Sequence, residues 1–545
     1  MMKKGNRIRL RAGISLLLAL FLLSLSACKK VQEGKPSNGG GEDGPTGEIT
    51  ISGTVRSSNG TPLAGVVVSD GFKSYKSAAD GSYRIDSDLS KAKFVSASIP
   101  DGYKASVENG IPAFFKRLSD EGKVNGKYQR LDFTFTPGAS SWTMLIAADV
   151  QPRAKTEDWD KFAYHSLDVA QDFYAEVSAY AKTLSGNVCG VMLGDIVHED
   201  MSLYAQYKTG LKKMGIPFFN VIGNHDNNLN KADDVAGAED FEKNLGPTNY
   251  SFNMGGFHVI VLDNIIMKSV SGRLNKKYDE GLTDDIWNWL QGDLRYVSYS
   301  TPLIVCSHAP LIASNGGSAR YTKAAHGNDY AALLAKYKRA YSFSGHTHQA
   351  YNSNGSTVAY KNLETHIVTR CCGPMWDNEW VNSDGLPRGY VVATLSGGNI
   401  RWQYRATRVE TAATVRPASS RPAYARKVIT DNVRAYARGA YGDSYVYADV
   451  FLWDESWGAV KFVAPGKTTN MTRVTSTNLT YDCAWKEIYD FYKANIDEYK
   501  SDSTYPFDSS NHHIFRVYSS DSSGSGYVEV TDRFGNTYRS NTITW

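Results

Sequence analysis

The segment PFFNVIGNHD (residues 217–226) joins a continuous apolar run to a cluster of polar side chains directly behind it. Continuous runs, unlike alternating ones, are typical of strands that are buried on both faces. Similar runs start at Met144, Cys189 and Leu303. Apolar residues at helical spacing over about 163–183 lie between the first two of these. This order of strand, helix and strand predicts a layered α/β domain over 138–405.

Five short polar blocks stand at the ends of strand-like runs in this domain. In open α/β sheets, ligands bind outside the carboxyl ends of the strands. We therefore expect loops that are far apart in the chain to converge on one site. The blocks are DVQ (149–151), GD (194–195), GNHD (223–226), SH (307–308) and GHTH (345–348).

The residue types in these blocks suit a pair of divalent metal ions. One shared carboxylate can bridge two ions, while neutral imidazoles and amide oxygens complete the coordination without adding negative charge. A pair of ions about 3.5–4 Å apart can hold a hydroxide and bind phosphoryl oxygens at the same time. An anionic substrate is therefore expected.

Together the blocks resemble the calcineurin-like metallophosphoesterase superfamily, whose signatures are D-x-H, GD, GNH[DE], H and GHxH in this order. The resemblance covers about 140–405 and implies an αββα core of two stacked sheets between helices. It also implies hydrolysis of a phosphodiester, diphosphate or phosphomonoester bond by attack of a metal-bridging hydroxide. Enzymes of this kind use two divalent metal ions, and the expected substrate is a small phosphorylated molecule.

The resemblance assigns a role to each matching position. The metal ligands are expected to be Asp149, Gln151 and His348 at the first ion, Asn224, His308 and His346 at the second, and Asp195 at both. His225 is expected to stay off the metals and act as general acid toward the leaving oxygen. Asp226 is expected to orient His225 and set its tautomer.

Gln151 departs from the family pattern, in which His usually stands at this position. An amide oxygen is a harder ligand than imidazole, which favours Mn²⁺ or Mg²⁺ over Zn²⁺. Manganese is the first expectation, with Mg, Fe and Zn as alternatives. The D-x-Q variant is similar to Mn-dependent ADP-ribose and CDP-alcohol diphosphatases. The alternative interpretation is a degraded first site that leaves a single metal.

The first 47 residues resemble a secretion signal followed by a linker rather than a folded domain. Five basic residues precede an apolar run over 14–23, and the sequence LSAC ends at Cys28. This pattern resembles the lipobox of bacterial lipoproteins, in which the cysteine is acylated. It predicts a signal peptide (1–27), a lipidated Cys28 and a flexible linker (28–47), with the protein anchored in the bacterial cell envelope, at the periplasmic face or the cell surface. An uncleaved anchor is the alternative.

Two further regions flank the α/β domain. Residues 48–137 alternate in polarity, and the turn signals Asn59-Gly60, Asp70-Gly71 and Asp80-Gly81 predict a small antiparallel sandwich. This region resembles the carboxypeptidase-regulatory-like domain of secreted bacterial proteins. Residues 406–545 contain further strand-like pieces and predict a C-terminal β-rich domain, with one helix near 484–499.

The charge balance disfavours nucleic acid as a partner. The chain has 60 basic and 56 acidic residues, and removal of the signal peptide takes away five basic ones. A nucleic-acid binder is expected to be clearly basic. A different function class stays open, namely a cell-surface lipoprotein that binds glycan or another ligand through its flanking domains and keeps a residual catalytic domain.

Several other polar residues carry weaker hypotheses. His198 and Glu199 are expected either to contact substrate or to lie in a solvated loop. Asp263 and Asn264 are expected to support the metal ligands. A substrate lid or an ordinary packed loop is expected to be formed by Trp376, Trp380 and Arg388. Substrate specificity is expected to come from loops over 226–250, 264–281 and 373–389. The cysteines behind Cys28 are expected to be buried thiols, and the remaining histidines of the middle domain structural: His165, His258, His326 and His366.

Overall fold

The computed structural model describes residues 44–154, 166–310, 325–353, 361–372, 382, 384, 386–407, 432–440, 442–474 and 513–545. Cys28, the signal peptide and the predicted helix near 484–499 lie outside these residues, as do Trp376, Trp380 and His165. The described chain has an N-terminal all-β region, a middle α/β region and a C-terminal β-rich region, as the sequence predicts.

The N-terminal region is a sandwich of two main sheets with strand orders β10-β11-β1-β12-β6 and β3-β2-β5-β9. Its strands are β1 Ile51–Ser57, β2 Val67–Ser69, β3 Ser74–Lys76, β4 Ser82–Ile85, β5 Phe94–Ala97, β6 Gly102–Ala105, β7 Val107–Glu108, β8 Ile111–Pro112, β9 Phe115–Arg117, β10 Lys123–Val124, β11 Lys127–Tyr128 and β12 Phe133–Ala139. The sandwich is not purely antiparallel as predicted, because β1 pairs in parallel with both β11 and β12. Turn signals report only on pairs joined by a hairpin, so they could not indicate this pairing.

In its described residues, the middle region contains two sheets, one hairpin and six α-helices. Its strands are β13 Ser141–Ala147, β14 Asn187–Leu193, β15 Phe218–Val221, β16 Tyr250–Met254, β17 Phe257–Leu262, β18 Ile265–Val270, β19 Arg273–Glu280, β20 Leu303–Ser307, β21 Ala340–Ser344, β22 Tyr351–Ser353, β23 Leu363–Ile367, β24 Gly389–Ser396 and β25 Asn399–Ala406. Its helices are α1 Ser166–Ala181, α2 Tyr204–Met214, α3 Asp234–Gly237, α4 Glu239–Leu245, α5 Asp284–Leu294 and α6 Gly327–Leu334.

Two sheets face each other in this region, with strand orders β15-β14-β13-β24-β25 and β16-β17-β20-β21-β23-β22. Met144 and Ile146 point into the core between the sheets, whereas Leu145 and Ala147 pack on the outer layer with α1, α2 and α4. Helices α5 and α6 cover the second sheet. Side chains of a strand alternate between its two faces, so both faces of β13 must be apolar. The predicted αββα layering is confirmed.

The strands that matter for the site end at one edge of this layered structure. β13, β14 and β15 run parallel in the first sheet, and β20 and β21 run parallel in the second. Each of the five polar blocks begins within two residues of the end of one of these strands. The parallel pairing therefore brings all five blocks to the same end of the two sheets.

The C-terminal region is a second β-sandwich, with strand orders β26-β27-β31-β30 and β29-β28-β32-β33. Its strands are β26 Val433–Tyr436, β27 Tyr445–Val450, β28 Lys461–Ala464, β29 Lys467–Asn470, β30 Thr472–Arg473, β31 Ile514–Tyr518, β32 Ser525–Thr531, β33 Thr537–Arg539 and β34 Ile543–Thr544. Buried charged groups connect this sandwich to the middle region. Arg533 pairs with Glu364, and His513 lies 3.7 Å from Asp384.

The described cysteines are buried free thiols, as predicted: Cys189, Cys306, Cys371 and Cys372. Within the described part of the chain, no helix has the length and apolar character needed to cross a membrane.

Candidate metal centre

One cluster of donor atoms forms where β14, β15, β20 and β21 end. His308 Nε2 lies 3.2 Å from Asp195 Oδ1, 3.1 Å from Asn224 Oδ1 and 3.1 Å from His346 Nδ1. Four donor atoms from four loops thus surround one small space. This is the set predicted for the second metal ion, and the structure brings all four residues together.

The remaining ring nitrogens of both histidines have partners that fix their orientation. His308 Nδ1 donates to the carbonyl oxygen of Leu193 at 2.7 Å, which leaves the lone pair of Nε2 for a cation. His346 Nε2 lies 3.2 Å from the Tyr278 hydroxyl and 3.5 Å from Glu280 Oε1, so Nδ1 faces the cluster. Such outer contacts select the tautomer that a metal ligand requires.

A second cluster shares Asp195 with the first. Ligand atoms of Asp149, Asp195 and His348 lie within 4.8 Å of one another. His348 Nε2 is 3.4 Å from Asp149 Oδ1, and its Nδ1 contacts the Arg370 guanidinium. Burial and the charge of Arg370 lower the pKa of His348, which favours the neutral imidazole that binds a cation.

Gln151 lies beside this second cluster, but its amide is turned away from the expected orientation. Its Nε2 donates to Asp195 Oδ2 at 3.1 Å, and its Oε1 lies 3.7 Å from the Cys372 thiol. A half-turn of the amide group exchanges the oxygen and the nitrogen. Gln151 therefore reaches the first site, and ligation through its oxygen requires that half-turn.

The charge distribution of the two clusters fits divalent cations. Asp149 Oδ1 is buried and accepts no hydrogen bond from the described residues. Burial acts to raise the pKa of Asp195, but the histidines around it outweigh that effect and lower the pKa well below its usual range. Carboxylates that stay ionised in a buried site need positive charge, and the mixture of oxygen and imidazole donors suits first-row divalent metals.

The loops that hold these residues have unusual backbone conformations. The φ angles of Asp149, Asp195, His346 and His348 are 52°, 49°, 68° and 61°. Positive φ is uncommon for residues other than glycine and costs of order 1–3 kcal/mol each. Strain of this kind is typical of functional sites, where the fold holds side chains in one required direction.

Glycines precede three of the ligand-bearing positions because there is no room for a side chain. A Cβ on Gly194 would lie 2.5 Å from His308 Nδ1. A Cβ on Gly345 would collide with the Asp149 carboxylate, and one on Gly223 with Asp195. The glycines of the GD, GNHD and GHTH blocks therefore let the loops approach one another closely enough to form the clusters.

His225 lies next to the clusters without joining either of the two that share Asp195. Its backbone N–H donates to Asp195 Oδ1 at 3.0 Å, and its Nδ1 is 3.2 Å from Glu199 Oε1. Burial acts to lower the pKa of His225, but the Asp195 and Glu199 carboxylates outweigh it and raise the pKa above its usual value. The imidazole is therefore able to carry a proton near neutral pH, as a general acid must.

Glu199 is the partner of His225 that sequence reasoning did not assign. Its other carboxylate oxygen, Oε2, lies 2.7 Å from Lys276 Nζ. Pairing with His225 and Lys276 lowers the pKa of Glu199 to about 2. His198 stacks on His225 with ring centroids 4.1 Å apart. His198, Glu199 and His225 have the spacing of a third ligand group, but the ammonium of Lys276 already supplies positive charge there.

The structure revises the role predicted for Asp226. This carboxylate is fully buried and accepts backbone hydrogen bonds from Ile196, Val197 and Gly223 at 2.9, 3.1 and 2.8 Å. It therefore ties the GNHD loop to the loop that follows Asp195, whereas Glu199 is the carboxylate at the His225 ring. The Asp226 side chain points back into the protein, a direction that adjacency in sequence does not show.

The hairpin formed by β18 and β19 makes one wall of the site. Alternate residues of β19 share a face of the strand. Lys276 reaches Glu199, while Tyr278 and Glu280 both reach His346. The loop 264–281, expected to control specificity, is thus a hairpin whose pairing shifts register between Met267 and Ser269, and it contacts both the candidate ligand His346 and Glu199 beside His225.

Other predicted residues divide between support of the site and packing. Asn264 binds the backbone of Ala309, next to His308, through hydrogen bonds of 2.6 and 3.1 Å, so its supporting role fits the structure. Asp263 instead accepts from the backbone of Ile265. Arg388 is only 1% exposed and donates to the Cys371 carbonyl, so it packs in the core and does not form a lid.

Four histidines were expected to be structural, and the three of them that lie in the described residues have polar partners away from the clusters. His258 contacts Asp293, His326 contacts Asp284, and His366 contacts Glu364. In the C-terminal region, His513 is buried against Asp449.

The layered fold and the candidate ligand groups together define an α/β protein with a candidate site for divalent metal ions. Three family models match the chain: the N-terminal part of calcineurin-like phosphoesterase over 49–137, calcineurin-like phosphoesterase itself over 145–350, and the C-terminal part over 365–538. The chain belongs to the calcineurin-like metallophosphoesterase family, and its activity is that of a metal-dependent phosphoester hydrolase.

No curated protein matches the chain. Similar solved structures include a dimetal phosphatase from Danio rerio, at 14% identity and a TM-score of 0.33, which covers 49% of this chain and 96% of that one. A purple acid phosphatase from yellow lupin seeds has 14% identity and a TM-score of 0.35, covering 49% of this chain and 52% of its own. A 5′-nucleotidase precursor from Thermus thermophilus has 11% identity and a TM-score of 0.28, covering 74% and 89%.

Proposed function

We propose that the protein is a two-metal phosphoesterase that cleaves a small phosphorylated substrate, through a phosphodiester, diphosphate or phosphomonoester bond. The observation that carries the proposal is that Asp195 belongs to two groups of candidate ligands at once. Its Oδ1 faces His308, and its Oδ2 faces Gln151. A carboxylate with one oxygen toward each group is suited to bridge two ions.

Two divalent ions held by these residues would lower the pKa of a bound water and would neutralise charge on phosphoryl oxygens. The chain supplies the rest of the chemistry. His225 is placed to give its proton to the leaving oxygen, and Glu199 holds the ring through Nδ1 and keeps it protonated. Asp226 fixes the loop that carries His225 to the loop that carries Asp195.

Manganese fits the donor set best in this proposal. Carboxylate and amide oxygens suit Mn²⁺ and Mg²⁺, whereas imidazole also suits Fe and Zn²⁺. An oxygen ligand from Gln151 at the first site favours manganese and agrees with the D-x-Q variant of the diphosphatases named above. With Gln151 kept in its present orientation, the first site has Asp149, Asp195 and His348 as its protein ligands.

We further propose that Cys28 is lipidated and holds the enzyme on a membrane of the cell envelope. A single acylated residue anchors a protein without spanning the bilayer. The flanking sandwiches then act as spacers or contact glycan, and nucleic acid is not a substrate. Labelling with a radioactive fatty acid of cells that express the native chain or Cys28→Ala tests the anchor, because only the native chain should incorporate the label.

The central test measures metal content and hydrolysis together in Asp195→Asn. We expect loss of both bound metal and activity toward bis(4-nitrophenyl) phosphate in Mn²⁺, because the substitution removes the shared carboxylate. Asp200→Asn is the matched control, since Asp200 only caps the turn that begins at Met201. Full metal content and full activity in Asp195→Asn would refute the two-metal proposal. Wild-type protein that binds metal but hydrolyses no phosphoester would instead favour the ligand-binding alternative.

A further inference from the structure

The strand that leads into the GNHD block lies at the edge of its sheet. β15 is the last strand of the first sheet, with β14 on one side. The backbone groups on the other side of an edge strand need partners from elsewhere. Phe218 and Asn220 of β15 are both buried, so these partners must come from the protein itself.

A tyrosine hydroxyl from the second sheet takes the place of a neighbouring strand at Asn220. Tyr250 Oη accepts a hydrogen bond from the backbone N–H of Asn220 and donates one to its carbonyl oxygen, both at 2.9 Å. Burial raises the pKa of Tyr250 well above its usual value, so the hydroxyl keeps the proton that it donates. One side chain thereby binds both backbone groups of a residue four positions before Asn224.

The N-terminal sandwich supplies the other contacts at this edge. The carbonyl oxygen of Gly110, at the tip of the hairpin formed by β7 and β8, accepts from the N–H of Phe218 at 2.8 Å. The ring of Phe114, also in the sandwich, packs on the ring of Tyr250 with centroids 4.7 Å apart. The sandwich therefore contacts β15 directly at Phe218 and through Tyr250 at Asn220.

The GNHD loop has little freedom to absorb a shift of the strand before it. β15 ends at Val221, and Asn224 Oδ1 lies 3.1 Å from His308 Nε2 in the cluster. The next residue, His225, donates its backbone N–H to Asp195 Oδ1 at 3.0 Å. A displacement of β15 would therefore change the position of Asn224 relative to the other candidate ligands.

From these contacts we propose that Tyr250 is a positioning residue for the GNHD loop. The N-terminal sandwich, beyond its role as a spacer, holds Tyr250 in place through Phe114. The inference rests on the proposed function, because Asn224 acts there as a ligand of the second ion. Tyr250 does not reach the substrate and acts only through the backbone of β15.

Tyr250→Phe tests the hydroxyl, and Tyr207→Phe is the matched control. Tyr207 is also buried, but its hydroxyl donates to the side-chain Oδ1 of Asn220 at 2.6 Å and leaves the backbone bonds intact. Both variants should lower the melting temperature, since each loses a buried hydrogen bond. Only Tyr250→Phe should speed amide hydrogen exchange in the peptide 217–223. Only this variant should lower the affinity for the second Mn²⁺, about fivefold in calorimetric titration.

Phe114→Leu tests the contribution of the sandwich, and Phe133→Leu is its control. Phe133 is buried in the same sandwich near Tyr83, and its strand β12 pairs with β1 and β6. We expect Phe114→Leu to reproduce both effects of Tyr250→Phe at smaller size. Phe133→Leu should lower the melting temperature alone.

The outcomes separate this inference from the function on which it rests. Equal affinities for the second Mn²⁺ in Tyr250→Phe and Tyr207→Phe would overturn the positioning role of Tyr250. The same exchange rates over 217–223 in Phe114→Leu and Phe133→Leu would overturn the role of the sandwich. A wild-type protein that binds no second Mn²⁺ would overturn the proposed function, and the exchange rates of the metal-free variants would still decide whether Tyr250 holds β15.

Discussion

At the scale of single residues, the site depends on backbone conformations that are unfavourable for residues other than glycine. Asp149, Asp195, His346 and His348 all have positive φ. The glycines that precede Asp195 and His346 leave no space for a methyl group. The sequence shows the glycines but not the reason for them, since only the folded structure reveals that Gly194 lies against His308. Positions of this kind are therefore expected to tolerate alanine poorly.

Replacement of His225 by alanine should reveal its role through the leaving group. A general acid contributes roughly 10²- to 10⁴-fold, and it matters most for leaving groups that depart poorly without a proton. We expect a much larger fall in kcat for an alkyl phosphodiester than for bis(4-nitrophenyl) phosphate. Steady-state kinetics on both esters, with metal content measured in parallel, check this.

Glu199→Gln provides the companion variant, because it keeps the size of the side chain while removing the charge that holds a proton on His225. In Glu199→Gln, kcat should again fall more for the alkyl phosphodiester than for bis(4-nitrophenyl) phosphate, and both decreases should be smaller than in His225→Ala. Equal losses for both esters in His225→Ala would show that the residue shapes the site rather than donating a proton.

At the scale of elements, adjacent strand ends are linked so that their loops move together. β17 and β20 pair in parallel, and Asn264 behind β17 binds both backbone groups of Ala309 behind β20. The loop with His308 is thereby fixed from the neighbouring strand. Asn264 was expected to support the ligands because it follows an apolar run, and the strand pairing supplies the physical reason.

Removal of this link should weaken metal binding before it weakens the fold. In Asn264→Ala we expect affinity for the second metal to fall roughly tenfold, in the range found for residues that orient ligands. Asn249→Ala is the matched control, because Asn249 accepts a hydrogen bond from Asp263 and does not reach Ala309. Calorimetric titration with Mn²⁺ measures both. Equal affinities in the two variants would contradict the link.

At the scale of the whole molecule, the sequence predicts the layers, the five converging loops and most of the candidate ligands. It does so because buried parallel strands leave a strong apolar pattern, and the polar blocks follow their ends directly. The partners of His225 and Asp226 were not predicted, since they depend on side-chain directions at separate loops. The parallel pairing of β1 with β12 was not predicted because turn signals report only on strands joined by a hairpin. The wall formed by β19 was not predicted because its contacts with Glu199 and His346 join residues far apart in the chain.

Contacts between the middle region and the C-terminal sandwich also reach the metal centre. His513 lies between Asp449 and Asp384, at 2.5 and 3.7 Å, and Asp384 accepts from the backbone N–H of Ala350 at 2.7 Å. Ala350 is two residues beyond His348. The two carboxylates outweigh the effect of burial and raise the pKa of His513 to about 10, so the imidazole is charged at neutral pH.

His513→Asn should therefore lower the affinity of the first metal, roughly tenfold, by loosening the loop that carries His348. Arg533→Gln is the matched control, because Arg533 is another cation of the same interface but pairs with Glu364 and Asp454. Both variants should lower the melting temperature, and only the first should change metal binding. The same metal affinity in the two variants would assign His513 to docking alone.

The ion pairs across this interface have a consequence for how such proteins are inherited. Glu364 is fully buried, and one of its two arginine partners, Arg533, comes from the far end of the chain. Leaving a buried charge without its partner costs about 3–5 kcal/mol, a large share of the stability of a typical protein. Genetic recombination that exchanged the last sandwich for an unrelated one would remove one of the two arginine partners of Glu364 and would carry a part of that penalty. The catalytic layers and the sandwich behind them are thus bound to evolve as a single hereditary unit rather than as interchangeable modules.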